Sequence, residues 1–258
     1  MLLVMDVGNS NAVLGLYDGD KLLGHWRVCT DNYRTLDELR MLFTMLLQHE
    51  GHGLRAVKGC CISSVVPQLN FDLVRVSEAV FGVEAVMVGP GTKTGLILQC
   101  DNPKEVGADR IVNAVAAIEE YKGPLIVIDF GTATTFDAIT AKAEYKGGVI
   151  IPGVQVSADV LFEKCAKLPR VEISKPPSVI GKNTEDNIRA GLTYGYADMV
   201  DGLIARITKE MGTKPTVVAT GGLGSVIASV TKRIDHVDPL LTLKGLKSVY
   251  HKNERGAA

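Results

Sequence analysis

The sequence predicts an α/β fold in which one unit of strands and helices with a mixed sheet occurs twice. Three observations support this prediction. Short apolar runs typical of buried strands alternate with segments whose apolar residues recur at helical spacing. Each half opens with consecutive hairpins. The pattern restarts after Lys122-Gly123-Pro124, which predicts two domains at residues 1–122 and 123–258.

The restart is an internal repeat. The segment VMDVGNSNAVLGLYD at residues 4–18 aligns with VIDFGTATTFDAITA at residues 127–141, with a constant offset of 123 residues. Asp6 falls on Asp129 and Gly8 falls on Gly131. Two ordinary β-turns would also account for such residues. A polar tip between two apolar strands serves no purpose in a core, however, so we expect both tips to bind a ligand.

Turn and cap residues delimit the elements of the first half. The Asp18-Gly19 step in the turn at residues 18–20 is a hairpin signal. Thr35 with Glu38 has the pattern of a capping box, and Asn102-Pro103 predicts another helix start. The predicted elements are strands at 2–7, 12–17, 22–29 and 59–66 and helices at 36–48, 71–80 and 102–121.

The second half repeats the hairpins and then becomes mostly helical. The tail KNERGAA, residues 252–258, is expected to lack regular structure. The predicted elements are strands at 125–129, 136–140, 147–151 and 216–219, helices at 156–168 and 184–211, and a further helix after Gly222.

Composition excludes several classes of protein. Lys and Arg number 28 against 29 Asp and Glu, so there is no basic excess to hold a nucleic acid. Five cysteines without a CxxC spacing predict reduced thiols in a cytoplasmic protein. No apolar run approaches the roughly 20 residues that span a bilayer, and the start MLLVMDVGNS lacks the basic flank of a signal peptide. We therefore expect neither nucleic-acid nor membrane partners.

The polar tips have the chemistry of a phosphate site. Gly8 and Gly131 allow the backbone to approach phosphate oxygens, and the hydroxyl and amide side chains around them are short donors. Asp6 and Asp129 would repel a bare phosphate, so they need a cation between themselves and the ligand. The pair of hairpins therefore predicts a nucleoside triphosphate bound with Mg²⁺ or another cation.

The duplicated hairpin resembles the ribonuclease-H-like fold of actin, Hsp70 chaperones and sugar and acetate kinases, in which two domains enclose a cleft. Within that group the sequence resembles type III pantothenate kinases more closely, over nearly the whole chain. The matching segments, in order, are DVGNS at 6–10, with serine where the family usually has threonine, HWRVCT at 25–30, NPKEVGADR at 102–110, DFGTATT at 129–135, GGVIIPG at 147–153, GKNT at 181–184 and TGG at 220–222.

This resemblance implies transfer of the ATP γ-phosphate to pantothenate, the first step towards coenzyme A, by a homodimer that uses Mg²⁺ and a monovalent cation, K⁺ or NH₄⁺. Asp109 would be the proton acceptor, Asp129 would bind the monovalent cation, and Asp6 would position Mg²⁺. The ATP phosphates would contact Asp6, Val7, Gly8, Asn9, Ser10, Asn11, Ala12 and Val13, with Thr132 opposite. Pantothenate would contact Cys100, Gly107, Ala108, Asp109, Arg110 and Thr184.

The residues themselves agree with these roles but leave alternatives open. Arg110 could bind the carboxylate of pantothenate with two parallel hydrogen bonds, yet it and Asp109 could also lie on a helix surface. Thr184 could reach pantothenate from the partner subunit, or it or Asn183 could simply cap a helix. Cys100 stands where the family often has tyrosine.

Two other functions remain possible for a chain of this kind. The first is a kinase of the same fold that acts on a different acceptor. The second is a regulator that binds nucleotide without catalysis. The presence of Asp6, Asp109 and Asp129, together with the lack of a basic helix-turn-helix pattern, favours an enzyme.

Overall fold

The computed structural model describes residues 1–254, which form two compact units. Unit 1 contains Met1–Gly95, Asn102–Ala116 and the described residues from Thr242 onward. Unit 2 contains Leu96–Asp101 and Ala117–Leu241. Each unit therefore takes segments from both of the halves 1–122 and 123–258.

Unit 1 contains a five-stranded mixed sheet. Its strands are β1 Leu2–Val7, β2 Asn11–Asp18, β3 Lys21–Cys29, β4 Gly59–Ser64 and β5 Ala85–Met87. Their order across the sheet is β3-β2-β1-β4-β5, with the first three strands antiparallel and β1, β4 and β5 parallel.

Unit 2 contains a six-stranded sheet that repeats this topology. Its strands are β6 Ile97–Leu98, β7 Leu125–Phe130, β8 Ala133–Ile139, β9 Glu144–Pro152, β10 Thr216–Thr220 and β11 His236–Val237. Their order is β11-β10-β7-β8-β9-β6. Strands β9-β8-β7-β10-β11 correspond to β3-β2-β1-β4-β5, which confirms the internal repeat, and β6 adds an edge strand.

Helices pack against the sheet in each unit. They are α1 Leu36–His49, α2 Pro67–Val76, α3 Ala108–Tyr121, α4 Val154–Lys164, α5 Thr184–Ala190, α6 Tyr196–Met211, α7 Gly224–Ala228 and α8 Leu241–Glu254. The capping box of Thr35 and Glu38 is present at the start of α1. Within residues 1–254, no helix has both the length and the apolar character needed to cross a bilayer.

Several predicted helix boundaries were wrong. The helix expected to start at Asn102 is a separate 3₁₀ turn, Pro103–Glu105, after which Val106 is extended and α3 begins at Ala108. The stretch 184–211 is interrupted by a π-helical turn at Gly191–Gly195. The predicted tail from Lys252 is helical as far as Glu254, because α8 continues through it, and its remaining residues lie outside those described.

Alternation along β1 divides its apolar residues between the two faces of the sheet and places Asp6 on the same face as Leu2 and Val4, which are also buried. Leu3, Met5 and Val7 pack into a buried cluster with apolar residues of α1 and α2. Asp6 therefore lies on the other face, because successive strand residues point to opposite sides. Helix α8 covers that second face. A Cβ on Gly15 would meet Leu243, and one on Gly59 would overlap Tyr250.

Candidate active site

The tip of the first hairpin is held closely by the strands on either side of it. Strands β1 and β2 pair as far as Val7 and Ala12, which leaves the four residues 8–11 as the tip. The Gly8 N–H donates to the Asn11 carbonyl at 3.1 Å. Asn9 and Ser10 are exposed, as donors for a phosphate should be.

Thr30, the residue directly after β3, holds this tip in place through two hydrogen bonds. Its hydroxyl donates to the Gly8 carbonyl at 2.7 Å, and its N–H donates to the Ser10 carbonyl at 3.0 Å. These two hydrogen bonds occupy carbonyl oxygens that would otherwise repel a phosphate. Sequence reasoning did not single out Thr30; its place in the HWRVCT segment was the only signal.

Asp6 lies one residue before the end of β1, half-buried between two neighbouring strands. Its register partners are Val13 on β2 and Ser63 on β4. Strands β1 and β4 are parallel, so their carboxyl ends lie at the same edge of the sheet. This is the edge at which α/β sheets commonly bind ligands.

The second hairpin has a similar tip with a different support. Phe130 pairs with Thr134, and the Gly131 N–H donates to the Ala133 carbonyl at 3.1 Å. Gly131 and Thr132 are exposed. Gly153 lies so close that a Cβ would overlap the carbonyls of Gly131 and Thr132. The fold thus brings the GGVIIPG segment against the tip.

Tyr196, at the start of α6, fastens the second hairpin to β9. Its hydroxyl donates to the Pro152 carbonyl at 2.6 Å and lies 2.8 Å from the Thr134 hydroxyl, which can donate to it in turn. Burial raises the pKa of Tyr196, while the hydrogen bond with Thr134 opposes this change. No pattern in the sequence pointed to this residue, because the contact joins positions 62 residues apart.

The carboxylate of Asp129 is surrounded by small groups. A Cβ on Gly221 would lie 2.5 Å from its Oδ1, and one on Gly131 would lie 3.6 Å from it. Gly221 has a φ of +88°, which favours glycine. The neighbouring Thr135 hydroxyl is buried and has no hydrogen-bond partner among residues 1–254. Space and an unused oxygen beside a carboxylate are features that fit a cation.

Asp109 lies in the first turn of α3. The residues just before this helix, Val106 and Gly107, separate it from the 3₁₀ turn at Pro103–Glu105. The Asp109 Oδ1 accepts the Arg110 N–H at 2.8 Å. A Cβ on Gly107 would overlap this carboxylate. Burial raises the pKa of Asp109, and the Arg110 N–H and guanidinium only partly oppose that change. A raised pKa makes a carboxylate a better proton acceptor.

The Asp109 segment is connected to the first hairpin through Val65. The Val65 N–H donates to the Val7 carbonyl at 3.0 Å. Val65 Cγ1 lies 3.7 Å from the position that a Gly107 Cβ would take. Unit 1 therefore brings together the end of β1, the end of β4 and the segment that begins with Gly107 and contains Ala108, Asp109 and Arg110.

Two other predicted substrate residues belong to unit 2. Cys100 is half-buried just after β6. Thr184 is the exposed first residue of α5, and Asn183 is the cap, with its side chain accepting the Asp186 N–H at 2.8 Å. The capping alternative therefore applies to Asn183 and not to Thr184. Among residues 1–254, no group of three or more His, Cys, Asp or Glu side chains could hold a metal ion.

Solved structures share this fold. A ROK family glucokinase from Streptomyces griseus, in complex with glucose and AMPPNP, matches with a TM-score of 0.55 and 12% identity over 97% of this chain and 99% of its own. A Campylobacter jejuni protein described as a Baf family transcriptional activator matches with a TM-score of 0.61 and 19% identity, over 98% and 99%. The chain thus has the duplicated actin-like ATPase fold that sugar kinases also adopt.

Sequence relatives define the group more narrowly. The family described as "Type III pantothenate kinase" matches residues 2–206. Proteins of that name from Exiguobacterium sp. and Brevibacillus brevis are 51% and 53% identical, over 99% and 98% of this chain and 100% of each relative. One from Bacillus cytotoxicus is 52% identical over 98% of this chain and 97% of its own. The chain belongs to the type III pantothenate kinase family.

Proposed function

We propose that the protein transfers the γ-phosphate of ATP to the 4′-hydroxyl of pantothenate, giving 4′-phosphopantothenate in the first step of coenzyme A synthesis. The observation that carries this proposal is the environment of Asp109 in a chain of this family. The Asp109 carboxylate has a raised pKa and lies beside Gly107. Val65, which lies near Gly107, is hydrogen-bonded to Val7 at the end of the strand that leads into the phosphate tip.

Asp109 accepts the proton of the attacking hydroxyl. Gly107 and Ala108 leave room for the acceptor, and Arg110 binds its carboxylate. Cys100 and Thr184 complete the pantothenate contacts. A positioned proton acceptor of this kind contributes roughly 10²- to 10⁴-fold to a rate.

Both hairpins bind the nucleotide. Thr132 and the residues from Asp6 to Val13 contact its phosphates with backbone N–H groups and short side chains. Thr30 holds the first tip through hydrogen bonds to the Gly8 and Ser10 carbonyls. Tyr196 holds the strands beside the second tip through Thr134 and Pro152. Orienting the phosphate and the hydroxyl in line is the main contribution of a kinase to phosphoryl transfer.

Kinases of this kind use ATP with a divalent cation, which neutralises charge that develops on the transferred phosphate. The residues present fit cations at two places. Asp6 would hold the water shell of Mg²⁺. Asp129 would bind a monovalent cation, K⁺ or NH₄⁺, in the space that Gly131 and Gly221 leave around its carboxylate.

A homodimer is part of the same proposal, in which Thr184 contacts pantothenate held by the partner subunit. The segment just before it supports such an interface, because Val179 and Ile180 are 68% and 82% exposed. Large contiguous apolar patches at a surface mark interaction sites, and we infer that these two neighbouring side chains belong to one. Light scattering of the purified protein tests this assembly. We also infer that the protein acts in the cytoplasm.

The test of function is ADP release by the purified protein with ATP and Mg²⁺, with and without pantothenate and with K⁺ or Na⁺. We expect release that requires pantothenate and is stimulated by K⁺. Asp129→Ala should lose both activity and stimulation by K⁺. ADP release with another hydroxylated acceptor alone would indicate a different kinase, and bound nucleotide without any release would indicate a regulator.

A further inference from the structure

Ser63 carries a buried hydroxyl that makes no hydrogen bond within the described residues 1–254. The residue is fully buried on β4. A buried hydroxyl without a partner costs free energy, so such groups are rare and often indicate an ordered water or ion. Ser77, an equally buried serine, has a partner and donates to the Val83 carbonyl at 2.8 Å.

The position of Ser63 indicates what its hydroxyl contacts. Ser63 is the register partner of Asp6 in the parallel pair β1–β4, and the two side chains lie on the same face of the sheet. Both lie one residue before the carboxyl end of their strand. A carboxylate and a hydroxyl side by side at this edge can together hold a water molecule that is bound to a cation.

The second unit repeats the arrangement. Strands β7 and β10 are parallel there, and Asp129 has Thr220 as its register partner. Thr220 is also buried, at 1% exposure. The alignment of the two hairpins does not include Ser63 or Thr220; their equivalence follows from the strand order of the two sheets. A hydroxyl beside the strand-end aspartate is therefore a feature of both units.

We propose that the Ser63 hydroxyl, together with the Asp6 carboxylate, binds the water shell of the divalent cation that accompanies the nucleotide. Mg²⁺ keeps several of its waters in proteins, and each such water can donate to a carboxylate or hydroxyl oxygen. This role rests on the proposed kinase function. Ser63 acts as a positioning residue, because it reaches the cation only through water.

The test compares Ser63→Ala with the wild-type protein by Mn²⁺ titration in the presence of a non-hydrolysable ATP analogue, with free Mn²⁺ measured by electron paramagnetic resonance. We expect Ser63→Ala to bind Mn²⁺ at least about tenfold more weakly than the wild type, as is typical when an outer-sphere partner is removed. The melting temperature without metal and nucleotide should not fall, because the substitution removes no hydrogen bond among residues 1–254.

Ser77→Ala is the matched control. It should lower the melting temperature, because the Val83 carbonyl loses its donor, and leave Mn²⁺ binding unchanged. Equal Mn²⁺ affinity in Ser63→Ala and wild type would overturn the role of Ser63 while leaving the kinase function intact. A lowered melting temperature in Ser63→Ala would also overturn it, as a packing effect. If the wild-type protein does not bind the Mn²⁺–nucleotide complex, the proposed function itself fails.

Discussion

At the residue scale, glycines determine where the important carboxylates can lie. A side chain at Gly107 would overlap Asp109, and one at Gly221 would meet Asp129. In each case the glycine lies against the aspartate and leaves space where a larger residue would displace its carboxylate. Both glycines belong to short segments, GADR and TGG, that look unremarkable in isolation. Their role becomes clear only from the atoms that an added Cβ would meet.

Asp109→Asn should lower turnover by roughly 10²-fold or more, because an amide cannot accept the proton of the hydroxyl. Nucleotide affinity should stay nearly unchanged. Steady-state kinetics and nucleotide binding, measured on the same preparation, check both parts. An equal loss of ATP affinity would mean that Asp109 acts mainly in nucleotide binding.

The same variant should be more stable than the wild type at neutral pH. The pKa of Asp109 is raised in the folded state, so ionising this carboxyl costs stability once the pH exceeds its ordinary value of about 3.9. Asparagine removes that cost. Urea unfolding at several pH values should show the advantage of the variant at pH 7 and its disappearance as the pH falls towards 4 and below. A wild type that is more stable at pH 7 would contradict the raised pKa.

At the element scale, one long helical segment of unit 2 links Thr184, a predicted substrate residue, to Tyr196, which supports the second hairpin. Helix α5 starts at Thr184, passes through the π-helical turn at Gly191–Gly195 and continues as α6 from Tyr196. π-Helical turns occur frequently at functional sites. Here the turn changes the helical register just before Tyr196, the residue that fastens the second hairpin to β9.

Tyr196→Phe should lower the free energy of unfolding by about 1–3 kcal/mol, because the buried Pro152 carbonyl and Thr134 hydroxyl lose a partner. It should also raise KM for ATP more than KM for pantothenate, since the second hairpin is loosened. Denaturant unfolding and steady-state kinetics measure the two effects. Tyr194→Phe is the control. Its hydroxyl makes a longer contact, 3.5 Å to the Pro176 carbonyl, and should matter less.

At the scale of the whole molecule, each compact unit is assembled from distant parts of the chain. Helix α8 covers the sheet of unit 1, with Tyr250 against Gly59, and the Lys247 ammonium lies 2.8 Å from the Asp20 carboxylate. The ion pair is exposed at Asp20 and contributes little. The close packing of Tyr250 on Gly59 is therefore the more important contact between this helix and the sheet.

Gly59→Ala should lower the free energy of unfolding by about 1–3 kcal/mol, because its Cβ would overlap the Tyr250 ring and hydroxyl. Thermal or urea unfolding measures the loss. Gly53→Ala is the matched control, since apart from its own chain neighbours no heavy atom in the described part of the chain lies within 4 Å of its Cβ position. Equal stability of the two variants would mean that Tyr250 moves aside at no cost.

Strands and hairpins were predictable from the sequence because their signals are local. The apolar runs before Asp6 and Asp129 and the polar tips after them predicted both meanders and the duplication. The interruption of the predicted helix 102–121 at Gly107 was not predictable. Asn102-Pro103 has the features of a helix start and does initiate a 3₁₀ turn. Helix α8 was not predicted. The sequence also did not predict that each unit contains segments from both halves of the chain, because that depends on packing that no local pattern encodes.

The candidate site divides in the same way. Asp6, Asp109, Asp129 and the tip residues were identified from motif and resemblance. Thr30, Ser63 and Tyr196 were not, because each depends on a contact across strands or between a helix and a hairpin. Serine, threonine and tyrosine are common residue types. Thr30 and Tyr196 differ from others of their type only in their hydrogen-bond partners, and Ser63 differs in lacking one among residues 1–254.

The covering of β1–β4 by α8 has a consequence for synthesis on the ribosome. The first sheet emerges early, but the helix that shields one of its faces is translated about 180 residues after β4. At roughly 5–20 residues per second, that face waits on the order of 10 s or longer for its cover. During this interval the nascent chain exposes apolar surface, so we expect the growing chain to be a client of ribosome-associated chaperones.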